Sequence, residues 1–118
     1  MKYMLLIYLD ESAPLDEAAR QHCYDESSQL AQELQSKGQF LASSPLQPSS
    51  TATCVKVRDG KRMVTDGPFA ETREQLGGYF LVEAKDLDGA IGIASRIPGA
   101  RWGAVEIRPV IEIPGLPV

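Results

Sequence analysis

KYMLLIYL, residues 2–9, is apolar along almost its whole length. Read as a strand, it places Tyr3, Leu5, Ile7 and Leu9 on one face and Met4, Leu6 and Tyr8 on the other, because successive side chains alternate. Neither face is polar. Such a strand belongs at the centre of a sheet with cover on both sides.

A helix is expected next, roughly Leu15 to Lys37. Ser12 is a capping residue, Pro14 suits the first turn, and Asp16 and Glu17 complement the helix dipole. Cys23, Ser27, Leu30, Ala31 and Leu34 form its inward stripe. Lys37-Gly38 ends it, since glycine adopts a left-handed conformation without penalty. QFLASSPL reads as a second strand. The same order then recurs. Tyr79 to Ala84 is a strand, and Asp86 caps a helix expected to turn Leu87, Ala90, Ile91 and Ala94 inward. Gly89 and Gly92 weaken that helix and Pro98 stops it. WGAVEIRPV is the last strand.

Two β-α-β units in 118 residues point to one α+β domain, a ferredoxin-like βαββαβ sheet with both helices on one face. TATCVKVRDGKRMVTDG, between the two halves, is a hairpin signal: two β-rich runs joined at Asp59-Gly60. It makes the region of about 51–76 an inserted β-hairpin and loop, and 111–118 a short tail.

Helices on one face leave the other to be covered. The last strand alternates, with Val105 and Ile107 on one side and Trp102, Glu106 and Arg108 on the other. The second face is therefore apolar with a charged patch. A symmetric partner laid against it covers the apolar part and leaves a partly polar cleft. The expectation is a homodimer, and the competing arrangement is a monomer whose hairpin folds back over its own sheet.

Composition narrows the function. Hydrophobic residues are 43%, charged residues 24% and the net charge is −4, so a phosphate backbone is not the expected partner. The one basic cluster, Arg58, Lys61 and Arg62, flanks the Asp-Gly turn and reads as a solvated tip. Cys23 and Cys54 sit in apolar contexts without metal spacing and read as small buried thiols, which fits a reducing cytoplasm. The apolar run at the start is short and followed at once by acids, unlike a signal peptide, and no stretch is long enough to span a membrane. There is no GxGxxG, P-loop or GxSxG, and a single histidine, His22, on the flank of the first helix. No cofactor, metal site or nucleophilic triad is expected.

MKYMLLIY, the block VRDGKRMVTDGPFAETREQLGGYFLVEAKDLDGAI and VEIRPV together resemble the YCII-related family, in the branch with an Asp-Gly-Pro-Phe motif. The resemblance runs from Met1 to about Val110. It implies a ferredoxin-like fold assembled as a dimeric α+β barrel, with two sheets facing each other. It also implies small-molecule chemistry in a cleft for some relatives, dehydrochlorination of an aromatic ring for one branch, and association with extracytoplasmic-function sigma factors. The positions that carry over are Asp66, Gly67, Pro68, Phe69, Glu71, Glu74 and Gly78, with Glu106, Arg108 and Pro109. Arg73 stands where the branch more often has lysine. A histidine-aspartate pair proposed in smaller relatives does not carry over: that histidine falls nearer Ser27 than His22, and QFLASSPL has no aspartate.

Each candidate has a structural and a functional reading. Asp66 is either a turn aspartate bonded to a backbone N–H two residues on or a general base at the cleft mouth. Phe69 is a plug into core or partner, or a lid over a ligand. Asp66, Glu71 and Glu74 lie within nine residues, and carboxylates held close separate their pKa values, which is one route to an acid/base pair. Glu106 and Arg108 are either an ion pair or a receptor for an anionic group, since a guanidinium matches a carboxylate in a forked pair. Tyr3 and Tyr79 line the cleft or belong to the core. The expected function is binding of a small molecule, with an anionic ligand as the candidate, or acid/base catalysis of a lyase or isomerase kind. The alternative is a non-catalytic module working with a sigma factor.

Overall fold

The computed structural model describes residues 1–117. Six strands and three helices follow in the order β1 (Lys2–Leu9), α1 (Glu17–Ser36), β2 (Phe40–Pro45), β3 (Thr53–Arg58), β4 (Lys61–Asp66), β5 (Gln75–Glu83), α2 (Leu87–Ser95), α3 (Gly99–Trp102) and β6 (Ala104–Pro109). A single 3-10 turn, Ser49–Thr51, precedes β3. β2, β5, β1 and β6 form one sheet in that order, with every neighbouring pair antiparallel. This is the ferredoxin-like strand order of an α+β domain, with β1 central as its two apolar faces require.

Both long helices lie on the same side. Leu30 and Leu34 of α1 and Ala90, Ile93 and Ala94 of α2 cluster with Tyr3, Leu5, Phe80 and Val82. The first helix begins two residues later than the sequence suggested. Asp16, not Ser12, is its cap, its Oδ1 accepting from the Ala19 N–H at 2.7 Å. Ser12 is engaged elsewhere, donating from both N–H and hydroxyl to Asp10 at 2.9 and 2.6 Å. In α2, Asp86 caps as expected, accepting from the Gly89 N–H at 2.9 Å. The inward stripe differs, however: Ala90, Ile93 and Ala94 are buried while Leu87 and Ile91 face out. Cys23 and Cys54 are half-buried free thiols.

Two ion pairs tie the halves together. Arg101 of α3 makes a forked contact to Glu26 of α1 at 2.9 and 2.8 Å, and Arg96, just after α2, pairs with Glu33.

The strand pair β3–β4 stands apart as a two-stranded sheet. Its two-residue turn is Asp59-Gly60, with φ of 52° and 73°; left-handed conformations at both positions match the twist of the strands they join. The hairpin does not fold back over the main sheet, and nearly all its residues are exposed. The molecule is accordingly flat and extended, 46 × 43 × 19 Å with a radius of gyration of 16.0 Å, against about 13.5 Å for a compact chain of this length.

The Arg101 guanidinium holds the Glu26 carboxyl below its ordinary value of 4.5. A depressed folded-state pKa stabilises the fold fully above that value and is lost as pH falls through the lower folded pKa. Glu26→Gln is therefore expected to unfold at lower denaturant than wild type near neutral pH, with the gap closing below pH 4.5. A gap that stays constant through the acid range in urea titrations contradicts this.

Candidate functional site

The sheet face away from the helices follows from register. Leu6 is opposite Tyr79 and Met4 opposite Leu81 on one side; on the other, Leu6 is opposite Glu106 and Met4 opposite Arg108. These residues share one face, and Leu81 lies outside the helix-covered cluster although it is only 9% exposed. Tyr3, one step along β1, points the opposite way. It is packed among the helices at 3% exposure, and its hydroxyl contacts Met1 Sδ at 3.7 Å. Tyr3 is thus a core residue and not a cleft residue, because alternation separates it from Tyr79.

The end of this face where β1 finishes and β5 and β6 begin carries a shallow, open hollow. Tyr8, Thr72, Glu74, Ala104, Val105 and Glu106 line the hollow. Two of the expected acids, Glu74 and Glu106, are brought together here. Arg108 Nη1 lies 3.3 Å from Glu106 Oε2, so the cation beside the hollow is paired within its own strand. Gly103 positions Tyr8: a Cβ there would sit 2.0 Å from the Tyr8 carbonyl oxygen, so only glycine lets β6 start this close to β1. The pair Gly77-Gly78 does similar work on β5. The register slips between Ile7 and Tyr8, and a Cβ on Gly78 would meet the Ser44 carbonyl oxygen at 3.0 Å. The β-bulge bends β5 beside the hollow.

The loop leading into β5 is fastened by side chains. Gln75 accepts from the Glu11 N–H at 3.1 Å and donates to the Thr72 carbonyl at 2.5 Å. The Thr72 hydroxyl donates to the Glu74 carbonyl at 2.5 Å. The Glu11 carboxylate in turn accepts from the Ser49 N–H and hydroxyl at 2.9 and 2.5 Å. Ser12 hydrogen bonds hold the Asp10 carboxyl below its usual range, and the charge of Arg73 adds to that effect.

Asp66, Phe69 and Glu71 are exposed and belong to the hairpin end of the loop. The turn expected of Asp66 is not made. The residue two positions on is Pro68, which has no N–H, and no hydrogen bond reaches the Asp66 carboxylate among the described residues. The corner is held by backbone: the Gly67 N–H donates to the Ala52 carbonyl at 2.7 Å, Gly67 sits at φ 100°, and Cys54 Sγ lies 3.3 Å from the Gly67 carbonyl oxygen. Phe69 is 79% exposed, with Lys56 Nζ 5.2 Å from its ring centroid, a cation–π contact. Asp66, Glu71 and Glu74 do not converge on a cation: no group of three His, Cys, Asp or Glu side chains among the described residues is arranged to hold a metal. His22 is largely exposed, 4.0 Å from Glu26.

Sequence reasoning missed Thr72, Ala104 and Val105 as lining residues and Gln75 and Glu11 as the fastening. Tyr8 carried a legible signal, since it shares the face of Met4 and Leu6.

The fold and this end-of-sheet hollow define a small α+β protein with one helix-covered sheet face. Residues 1–114 match the YCII-related domain, and the chain belongs to that family; the match reaches into the tail that the sequence resemblance left out. The chain is also similar to the uncharacterized protein R00369 of Rhizobium meliloti (strain 1021), with 31% identity over 114 residues, 93% of this chain and 92% of that protein. No helix among the described residues is long and apolar enough to cross a membrane.

The corner makes a sharp prediction. Asp66→Ala should leave stability within about 0.5 kcal/mol of wild type, as surface substitutions do. Gly67→Ala, forced to keep a left-handed φ, should cost about 1–2 kcal/mol. Equilibrium denaturation that reverses this order contradicts the assignment of the corner to Gly67 and its backbone bonds.

Proposed function

We propose that this protein binds a small anionic molecule as a homodimer in which the uncovered sheet faces of two copies oppose each other as an α+β barrel. The observation that carries the reading is the hollow at the end of that face. It places Tyr8 and Ala104 beside two carboxylates, Glu74 and Glu106, with Arg108 paired to Glu106 at its edge.

An apolar face carrying Met4, Leu6, Tyr79 and Leu81 is poorly served by bulk water, and an identical face on a second copy is its simplest complement. The short dimension of 19 Å corresponds to a sheet with a single helix layer, which leaves room for a second sheet about 10 Å away. A pair of carboxylates in such a dimer cleft suits proton transfer: one accepts a proton while the other delivers one, as lyase and isomerase steps require. Arg108 supplies the forked partner for an anionic group once Glu106 is engaged by substrate. The exposed Asp66 carboxylate and the Phe69 ring, in the Asp-Gly-Pro-Phe corner that resembles one branch of the family, do not line their own copy's hollow and serve that of the second copy as polar contact and lid.

A thermal-shift series with small aliphatic and aromatic carboxylates tests the reading. At about 100 times its dissociation constant a ligand adds about 2.7 kcal/mol to stability. Wild type should show that rise in melting temperature with at least one acid, and Arg108→Ala should lose it while remaining folded. A shift retained in Arg108→Ala, or no shift across the series, contradicts the proposal.

A further inference from the structure

The hairpin β3–β4 presents two different faces. Opposed residues of an antiparallel pair share a face, so Val55 with Val64, and Val57 with Arg62, lie on one side; Lys56 and Met63 lie on the other, where Phe69 packs on Lys56. The valine side is bare: Val55, Val57 and Val64 are 60%, 60% and 56% exposed. An isolated two-stranded hairpin is marginal in water and needs a surface to pack on. Its own sheet does not provide one here.

Charge indicates what the occupant is. Residues 53–66 carry Lys56, Arg58, Lys61 and Arg62 against Asp59 and Asp66, a net +2. The remaining residues carry eight bases and fourteen acids, a net −6, which together restore the −4 of the whole chain. The arm is therefore complementary to the body of another copy. The body also offers a matching surface. Leu76, Tyr8 and Ala104 form one cross-strand row over β5, β1 and β6, and that row lies beside Glu74 and Glu106. The hollow's own lining includes two carboxylates and no base, while Arg62 has no ion-pair partner among the described residues.

We infer that the arm of one copy seats its valine face on the Leu76–Tyr8–Ala104 row of a second copy and delivers Arg62 to that copy's carboxylates. The inference rests on the dimer reading above and deepens it: the anion site is complete only when the partner's arm supplies the unpaired cation. The dimensions agree. Six residues of strand reach about 20 Å, and the outer strands of a four-stranded sheet are about 14 Å apart, so the arm spans the end of a partner's sheet. Phe69, riding on the opposite side of the arm, then closes over the hollow from outside.

The experiment uses the full-length chain. A photoreactive benzoylphenylalanine is placed at position 57, and isotopically heavy and light copies are mixed before irradiation. Mass spectrometry is expected to find mixed heavy–light cross-links from position 57 to the neighbourhood of Leu76, Tyr8 or Ala104. In parallel, sedimentation measures the dimer dissociation constant for Arg62→Glu and for Val55→Thr/Val57→Thr/Val64→Thr, which keeps β-branched residues in the strands. Each is expected to weaken dimerisation at least tenfold. Cross-links confined to single chains, or arm variants that dimerise within twofold of wild type, overturn the arm inference and leave facing sheets intact. A wild type that is monomeric in the same measurement overturns both.

Discussion

A sheet has two faces, and this chain supplies helices for one. That constraint organises everything else. β1 is apolar on both sides and lies in the middle of the sheet, so its Tyr3–Leu5–Ile7 side is satisfied by α1 and α2 while Met4, Leu6 and Tyr8 face outward with Tyr79 and Leu81. Burying the second set is worth about 25 cal/mol for each Å² of apolar surface removed from water. The hairpin, the obvious intrachain candidate for that role, is held away from it. The uncovered face and the bare arm are therefore two halves of one problem, and the second copy we propose would address both.

The hollow inherits its shape from the same arrangement. It forms where β1 ends and β6 begins, so these two strands and the Thr72–Glu74 segment contribute to it. Glycines permit that convergence: Gly103 against the Tyr8 backbone and Gly78 against Ser44. The carboxylates then come from opposite edges, Glu74 from the loop before β5 and Glu106 from β6. The segment that carries Glu74 is fastened to the frame through Gln75 and Glu11.

Much of the frame was legible in the sequence. The bounds of β1, the hairpin turn at Asp59-Gly60 and the alternation in β6 follow from period and turn chemistry alone. What was not legible involved choices between equivalent local solutions. In α2, the sets 87/90/91/94 and 90/93/94/97 both satisfy helical spacing and share two members; docking against the sheet selects the second, which buries Ile93 and Ile97 and leaves Leu87 and Ile91 outside. Ser12 and Asp16 are both good caps, and Ser12 was taken by Asp10. The sequence neighbourhood of Asp66, Glu71 and Glu74 suggested a cluster of acids, but the hairpin corner carries the first two away from the hollow. Glu74 instead lines the hollow with Glu106, 32 residues along, which no spacing rule could supply.

We propose the face bearing Met4, Leu6, Tyr79 and Leu81 as the interface between two copies. Light scattering coupled to size-exclusion chromatography at micromolar concentration addresses it directly. The account predicts a mass twice that of the 12.9 kDa chain; a single species at 12.9 kDa would contradict it.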